Sequence, residues 1–166
     1  MNVALYGFMG VGKTTIGTLL AKQLGYGFVD MDVEIEKNTG MAISEIFRVN
    51  GEAKFRELES QLVEELSRKD NLVIACGGGA IANVDNAEKL RKTAKMVYLT
   101  ASVDEIIRRT SVDNSRPLLD VSNPVETASN LLAKRVPVYV KYAEITVDTT
   151  GKSPEKVVST ILEALV

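Results

Sequence analysis

Short apolar runs alternate along the chain with longer stretches in which apolar residues recur every three to four positions. Val3-Ala4-Leu5-Tyr6 reads as a strand, and Ile16, Leu19, Leu20 and Leu24 then repeat at helical spacing until Gly25. Gly27-Phe28-Val29, Leu72-Val73-Ile74-Ala75, Met96-Val97-Tyr98-Leu99 and Ile145-Thr146-Val147 complete a set of five predicted strands. Helical patterning fills the intervals near 33–38, 43–49, 52–68, 84–92, 103–110, 124–142 and 155–165. Apolar strands separated by amphipathic helices are covered on both faces, which predicts a three-layer α/β/α fold around a central five-stranded parallel sheet. The longest break runs from Ser111 to Asn123, a polar segment punctuated by Asp113, Asn114 and Pro117. A loop of that length in a small domain is usually functional, so a flexible lid is expected over residues 111–123.

Composition narrows the chemistry. The 166 residues suit one domain, 1–166, and the 20 basic side chains nearly balance the 22 acidic ones, which argues against a nucleic-acid footprint. The chain contains no His, so Ser-His-Asp and Cys-His mechanisms and His-dependent metal sites are excluded. Its one Cys cannot form an internal disulfide, and no apolar run approaches the length of a membrane span. The N-terminus lacks the basic start of a secretory leader. The expectation is a cytoplasmic protein that meets neither nucleic acid nor membrane.

Directly after the first strand comes Gly7-Phe8-Met9-Gly10-Val11-Gly12-Lys13-Thr14, which satisfies G-x-x-x-x-G-K-[ST]. Glycines let backbone N–H groups close around phosphate oxygens, and the following helix turns its positive end toward the anion. Lys13 supplies a cation to the outer phosphates, and the Thr14 hydroxyl can ligate magnesium. A Gly-rich turn preceding Lys-Thr by chance is the plainer alternative, but the strand before and the helix after favour a nucleotide-binding P-loop. The guanine-reading Asn-Lys-x-Asp element of GTP switches is absent, and Asp148-Thr149-Thr150-Gly151 reads as an ordinary turn. The third strand runs into Cys76-Gly77-Gly78-Gly79, where many ATPases carry a magnesium-binding Asp.

Metal ligation must then come from elsewhere, and Asp30-Met31-Asp32 is the candidate. Strand alternation is expected to point Asp30 and Asp32 together toward the carboxyl edge of the sheet, unless one merely caps the next helix. In residues 53–67 Glu59 falls within the apolar stripe of Phe55, Leu58, Leu62 and Leu66, with Arg56 one i,i+3 step away. That pair reads equally as a structural ion pair or as part of a site. Beyond Pro124, Arg135 lies on the inward side of a stripe formed by Val125, Ala128, Leu132, Val136 and Tyr139, which suggests a bidentate anion clamp. Arg108 and Arg109 lie opposite Val103, Ile106 and Ile107, as on a solvated face.

With these residues in hand the chain resembles shikimate kinase along essentially its whole length. The resemblance is carried by residues 7–15, Phe-Val-Asp-Met-Asp at 28–32, Gly-Glu-Ala-Lys-Phe-Arg-Glu-Leu-Glu at 51–59 and Gly-Gly-Gly at 77–79. It continues through Arg-Arg-Thr at 108–110, Arg-Pro-Leu-Leu at 116–119 and Arg-Val-Pro-Val-Tyr at 135–139. It implies ATP-dependent phosphorylation of the 3-hydroxyl of shikimate, on the route to chorismate and aromatic amino acids, by a protein expected to be a monomer. The carry-over gives Lys13, Asp32 and Arg116 as catalytic residues, with Thr14 and Asp30 holding Mg2+. ATP would be held by Gly10, Val11, Gly12, Lys13, Thr14, Thr15, Arg109, Arg116 and Pro154. Shikimate would be held by Asp32, Arg56, Gly77, Gly78, Gly79 and Arg135. Arg109 and the segment around Pro154 resemble an adenine clamp, which turns Arg109 from a solvated residue into part of the site. The alternatives are another small-metabolite or nucleoside-monophosphate kinase of this architecture, or a non-catalytic nucleotide-binding regulator. A gluconate kinase is disfavoured by the absence of His.

Overall fold

The computed structural model describes residues 1–8, 11–110 and 124–166. The expected lid, and Arg116 within it, lie outside these residues, as does Gly10. Five parallel strands, β1 (Asn2–Tyr6), β2 (Gly27–Asp30), β3 (Leu72–Ala75), β4 (Ala94–Thr100) and β5 (Ile145–Asp148), pair in the order β2-β3-β1-β4-β5. The helices are α1 (Lys13–Leu24), α2 (Met31–Thr39), α3 (Ile43–Asn50), α4 (Glu52–Leu66), α5 (Val84–Arg91), α6 (Val103–Thr110), α7 (Pro124–Tyr142) and α8 (Pro154–Leu165).

Alternation along the central strand divides the core in two. Val3 and Leu5 of β1 join Ile16 and Leu20 of α1 and Val157 and Ile161 of α8 on one face. Ala4 and Tyr6 point the other way, into a cluster with Met31 and Ile35 of α2, Leu62 and Leu66 of α4, Leu90 of α5 and Tyr139 of α7. β4 repeats the division, Val97 and Leu99 on the first face and Met96 and Tyr98 on the second. Burial on both faces explains why these strands are unbroken apolar runs, and it yields the three layers expected.

The strand order sends the chain from β1 past β3 to β2, and from β3 back across β1 to β4. Open α/β sheets bind ligands at the carboxyl ends of strands whose connections diverge in this way. There β1 runs into the P-loop, β2 ends at Asp30 and β3 runs into Cys76 and the three glycines.

The placement of Asp32 differs from the expectation. β2 stops at Asp30 and α2 starts at Met31, so Asp32 stands in the first helical turn and strand alternation does not govern it. Asp30 is itself the cap, its Oδ1 accepting from the Asp32 N–H at 3.0 Å and the Val33 N–H at 3.2 Å. Of the two candidates Asp30 is the one that caps the helix, and Asp32 is carried onto the pocket wall by the helix that Asp30 starts.

Candidate active site

The phosphate side is a backbone construction. Gly7 has φ 151°, and a Cβ there would collide with the Leu99 carbonyl oxygen, so the turn out of β1 requires glycine. Gly12, at φ 92°, precedes α1 without any side-chain cap, which leaves first-turn amides for an anion. Lys13 Nζ donates to the carbonyls of Gly7 and Phe8, both at 3.1 Å, and so lies along the loop that it would serve. Thr14 Oγ1 donates to Asp30 Oδ2 at 2.6 Å. Gly12, Lys13, Thr14 and Thr15 line a cavity of about 480 Å³, whereas the side chain of Val11 is packed in the core beneath it.

On the opposite wall of the same cavity stand Asp32, Arg56, Glu59, Gly77, Gly78, Gly79 and Arg135. Glu59 is 1% exposed, and its Oε1 accepts from Arg56 Nη1 at 2.6 Å, while Glu52 engages Arg56 Nη2 at 3.3 Å. Burial pushes the Glu59 carboxyl up; Arg56 pulls it down without prevailing, and Asp32 adds to the rise. Burial works to lower the Arg56 guanidinium, but the charge and hydrogen bond of Glu59, reinforced by Glu52, hold it above its ordinary value. Arg135 is 7% exposed, with its Cζ 5.6 Å from the centroid of the Phe8 ring, so a residue of the acceptor wall rests on the P-loop. Arg135 Nη1 and Glu59 Oε2 are buried and make no hydrogen bond, which is the condition of groups that await a polar ligand.

Gly77 and Gly79 let the charged ends of this wall come close to the backbone. A Cβ on Gly77 would lie 2.7 Å from Glu59 Oε2 and 3.0 Å from Asp32 Oδ1, and one on Gly79 would lie 2.6 Å from Arg56 Cζ. A side chain at either position would push these carboxylate or guanidinium ends aside. Cys76, just before them, is buried in the second core cluster, and burial pushes its thiol up to about 12, so it is not a nucleophile.

Arg109 reaches the cavity from α6, its Nη1 donating to Thr149 Oγ1 and its Nη2 to the Thr149 carbonyl, both at 3.3 Å. Thr149 lies in the turn that Asp148 Oδ1 closes by accepting from the Thr150 N–H at 2.9 Å, so D-x-x-G is indeed a turn. Arg109 thus leaves the solvated face first read for it, whereas Arg108 stays exposed beside Glu105. Pro154 opens α8 behind Ser153 and is not part of the cavity wall.

Some wall residues were not singled out by sequence as part of a site. Glu59 was read only as the partner of Arg56, although an acid in an apolar stripe was already a signal. Phe47 and Phe55, stacked with centroids 5.0 Å apart, give the wall an apolar patch. Glu36 also lines the cavity, its Oε2 accepting from the Ile43 N–H at 3.0 Å and so tying α2 to α3. Nothing in spacing distinguishes Glu36, Phe47 and Phe55 from ordinary core and cap residues.

Among the described residues no three His, Cys, Asp or Glu side chains gather as a metal cluster, and no helix is long and apolar enough to cross a membrane. Thr14 and Asp30 do fit magnesium: it takes hard oxygen donors and commonly needs only one or two from protein, with water and phosphate supplying the others.

Comparison with known proteins agrees with this geometry. Residues 9–166 match the family model described as shikimate kinase. The chain is 45% identical to the shikimate kinase of Thermodesulfovibrio yellowstonii over 98% of its own length and 93% of the relative's. It is 46% identical to that of Pseudomonas aeruginosa, over 99% and 96% respectively. The solved shikimate kinase from Acinetobacter baumannii, in complex with shikimate, superposes with a TM-score of 0.96 at 41% identity, covering 99% of this chain and 92% of that one. Family model, sequence identity and superposition agree over nearly the whole chain, and the chain belongs to the shikimate kinase family.

Proposed function

We propose that this chain transfers the γ-phosphoryl group of ATP to the 3-hydroxyl of shikimate, giving 3-phosphoshikimate and ADP, and that residues 1–166 form one catalytic unit. The observation that carries this reading is the convergence of Asp32, Arg56, Gly77–Gly79 and Arg135 in one cavity with Lys13 and Thr14. Arg56 and Arg135 clamp the acceptor carboxylate, for which the unbonded Nη1 of Arg135 is available. Backbone N–H groups of the 77–79 turn hold the ring hydroxyls. Asp32 faces the hydroxyl to be phosphorylated, orients it and is the candidate to take its proton.

Phosphoryl transfer asks the protein mainly for positioning and charge neutralisation. Lys13 draws charge from the outer phosphates, and Arg116, brought in by residues 111–123, adds a second cation at the transferring group. Magnesium, held by Thr14 and Asp30 when bound, neutralises phosphate charge further. Closure of 111–123 excludes water, which otherwise competes with the sugar-like hydroxyl. The adenine lies between Arg109 and the segment leading to Pro154, which supports Arg109 as a clamp more directly than Pro154. A monomeric, cytoplasmic enzyme belongs to the same reading, and its single thiol, Cys76, is free and buried.

A coupled ADP-release assay with shikimate, gluconate and a panel of nucleoside monophosphates tests the proposal. Turnover with shikimate alone is expected. Turnover with another acceptor, or ATP binding without any shikimate-dependent release of ADP, would overturn it.

A further inference from the structure

Two buried phenols connect the walls of the cavity. Tyr6, the last residue of β1, donates its hydroxyl to the Tyr139 carbonyl at 2.7 Å, and Tyr139 donates its own hydroxyl to the Gly78 carbonyl. The first bond satisfies a carbonyl near the C-terminus of α7, where the Ala143 N–H has turned to Val140. The second crosses 61 positions of sequence to reach the glycine turn, and no helix or sheet ladder requires it. Tyr139 is fully buried, and its ring packs against the stacked rings of Tyr6 and Tyr98, with centroids 5.5 and 5.3 Å away. The charge of Arg135, four residues earlier on α7, works to lower that phenol, but burial outweighs it and pushes its pKa up to about 12, so it stays protonated and remains a donor.

The 78–79 peptide is trans, so the Gly78 carbonyl and the Gly79 N–H point in opposite directions. We infer that Tyr139 is a positioning residue for the acceptor: by holding the Gly78 carbonyl against α7, its hydroxyl turns the Gly79 N–H toward the pocket and keeps Arg135 in register with it. Two elements that meet the acceptor, the glycine turn and α7, are joined at this one oxygen. Flanking glycines have wide conformational freedom, so without the tether the turn can swing its peptide away. This inference rests on the reading of Gly77–Gly79 and Arg135 as the acceptor site.

The test is Tyr139→Phe, which keeps the ring, beside Tyr6→Phe, which deletes an equally buried hydroxyl that does not touch the glycine turn. Tyr139→Phe is expected to raise the KM for shikimate about tenfold, the scale of one lost positioning hydrogen bond, with the KM for ATP within about twofold. Tyr6→Phe is expected to lower Tm comparably and to leave the shikimate KM within about twofold. An unchanged shikimate KM in Tyr139→Phe, or equal rises in both variants, would overturn the positioning role. If Tyr139→Phe fails to fold, wild-type protein labelled with 15N-glycine decides the matter, since the chain has 12 glycines to resolve. The Gly79 amide must then shift and exchange more slowly when shikimate is added; a Gly79 signal that stays still while others move would end the inference. A wild type inert toward shikimate would instead refute the underlying function.

Discussion

On the phosphate side of the cavity the contributing residues are neighbours in the chain, and backbone sets the described ones: Gly7 against Leu99, Gly12 opening α1, Lys13 along its own loop. On the acceptor side, Asp32, Arg56, Glu59, Gly77 and Arg135 come from α2, α4, the turn after β3 and α7, and they hold one another through charge. The first wall is organised by conformation and leaves first-turn amides of α1 for an anion. The second wall holds buried ionic groups, with Arg135 Nη1 and Glu59 Oε2 left without hydrogen bonds. A conformational wall loses function when a backbone position is lost, whereas a charge-built wall responds in proportion to each group removed. Changes to the two should therefore separate in the kinetics.

The largest effect is expected from Arg116, the cation proposed to act on the transferring group. Arg116→Ala should lower kcat about 10³-fold, the scale on which an arginine aimed at a transferring phosphoryl acts, with the shikimate KM little changed. Steady-state kinetics check this, and near-normal turnover would restrict charge neutralisation to Lys13 and the metal. Asp32→Asn follows: kcat should fall about 10²-fold or more, while ATP affinity measured by calorimetry is retained. An active Asp32→Asn enzyme would reduce Asp32 to a wall residue.

The same contrast decided what could be read in advance. The P-loop was legible because its chemistry needs consecutive residues, and the strands because burial on both faces leaves unbroken apolar runs. Arg56–Glu59 and the inward Arg135 were legible through helical spacing, which encodes contacts within one helix. Asp32 was misread in its local geometry, because a helix starting directly at Met31 leaves no strand for it to alternate on. Contacts between elements carried no signal: no periodicity links Tyr139 to Gly78 or stacks Phe47 on Phe55, since these depend on how α3, α4, α7 and the glycine turn come together.

Arg135→Lys sharpens the comparison at intermediate scale. Lysine keeps the charge over the Phe8 ring and loses the planar fork, so the KM for shikimate should rise about tenfold. The KM for ATP should hold, since the phosphate wall does not depend on the fork. A rise in the ATP constant instead would mean that Arg135 works through Phe8 on the P-loop, and the two walls could no longer be treated separately.

The smallest expected effect bears on whether the acceptor wall carries its charge at a cost to the fold. Glu59 faces Arg56 on its own helix, Asp32 from α2 and Arg135 from α7, and burial outweighs the two cations to hold its carboxyl above the ordinary 4.5. A carboxyl whose folded pKa is raised binds its proton more tightly when folded. Its stabilising contribution is thus complete below the unfolded value and is lost as pH climbs through the folded one. Glu59→Gln is neutral throughout, so the Tm of the wild type minus that of the variant should decline as pH rises from about 4.5 toward neutrality. Calorimetry across that range reads the slope directly. A difference that grows with pH would mean that pairing with Arg56 overcomes burial, and the acceptor wall would then be an ion pair that strengthens the fold, not charge kept in place for a ligand.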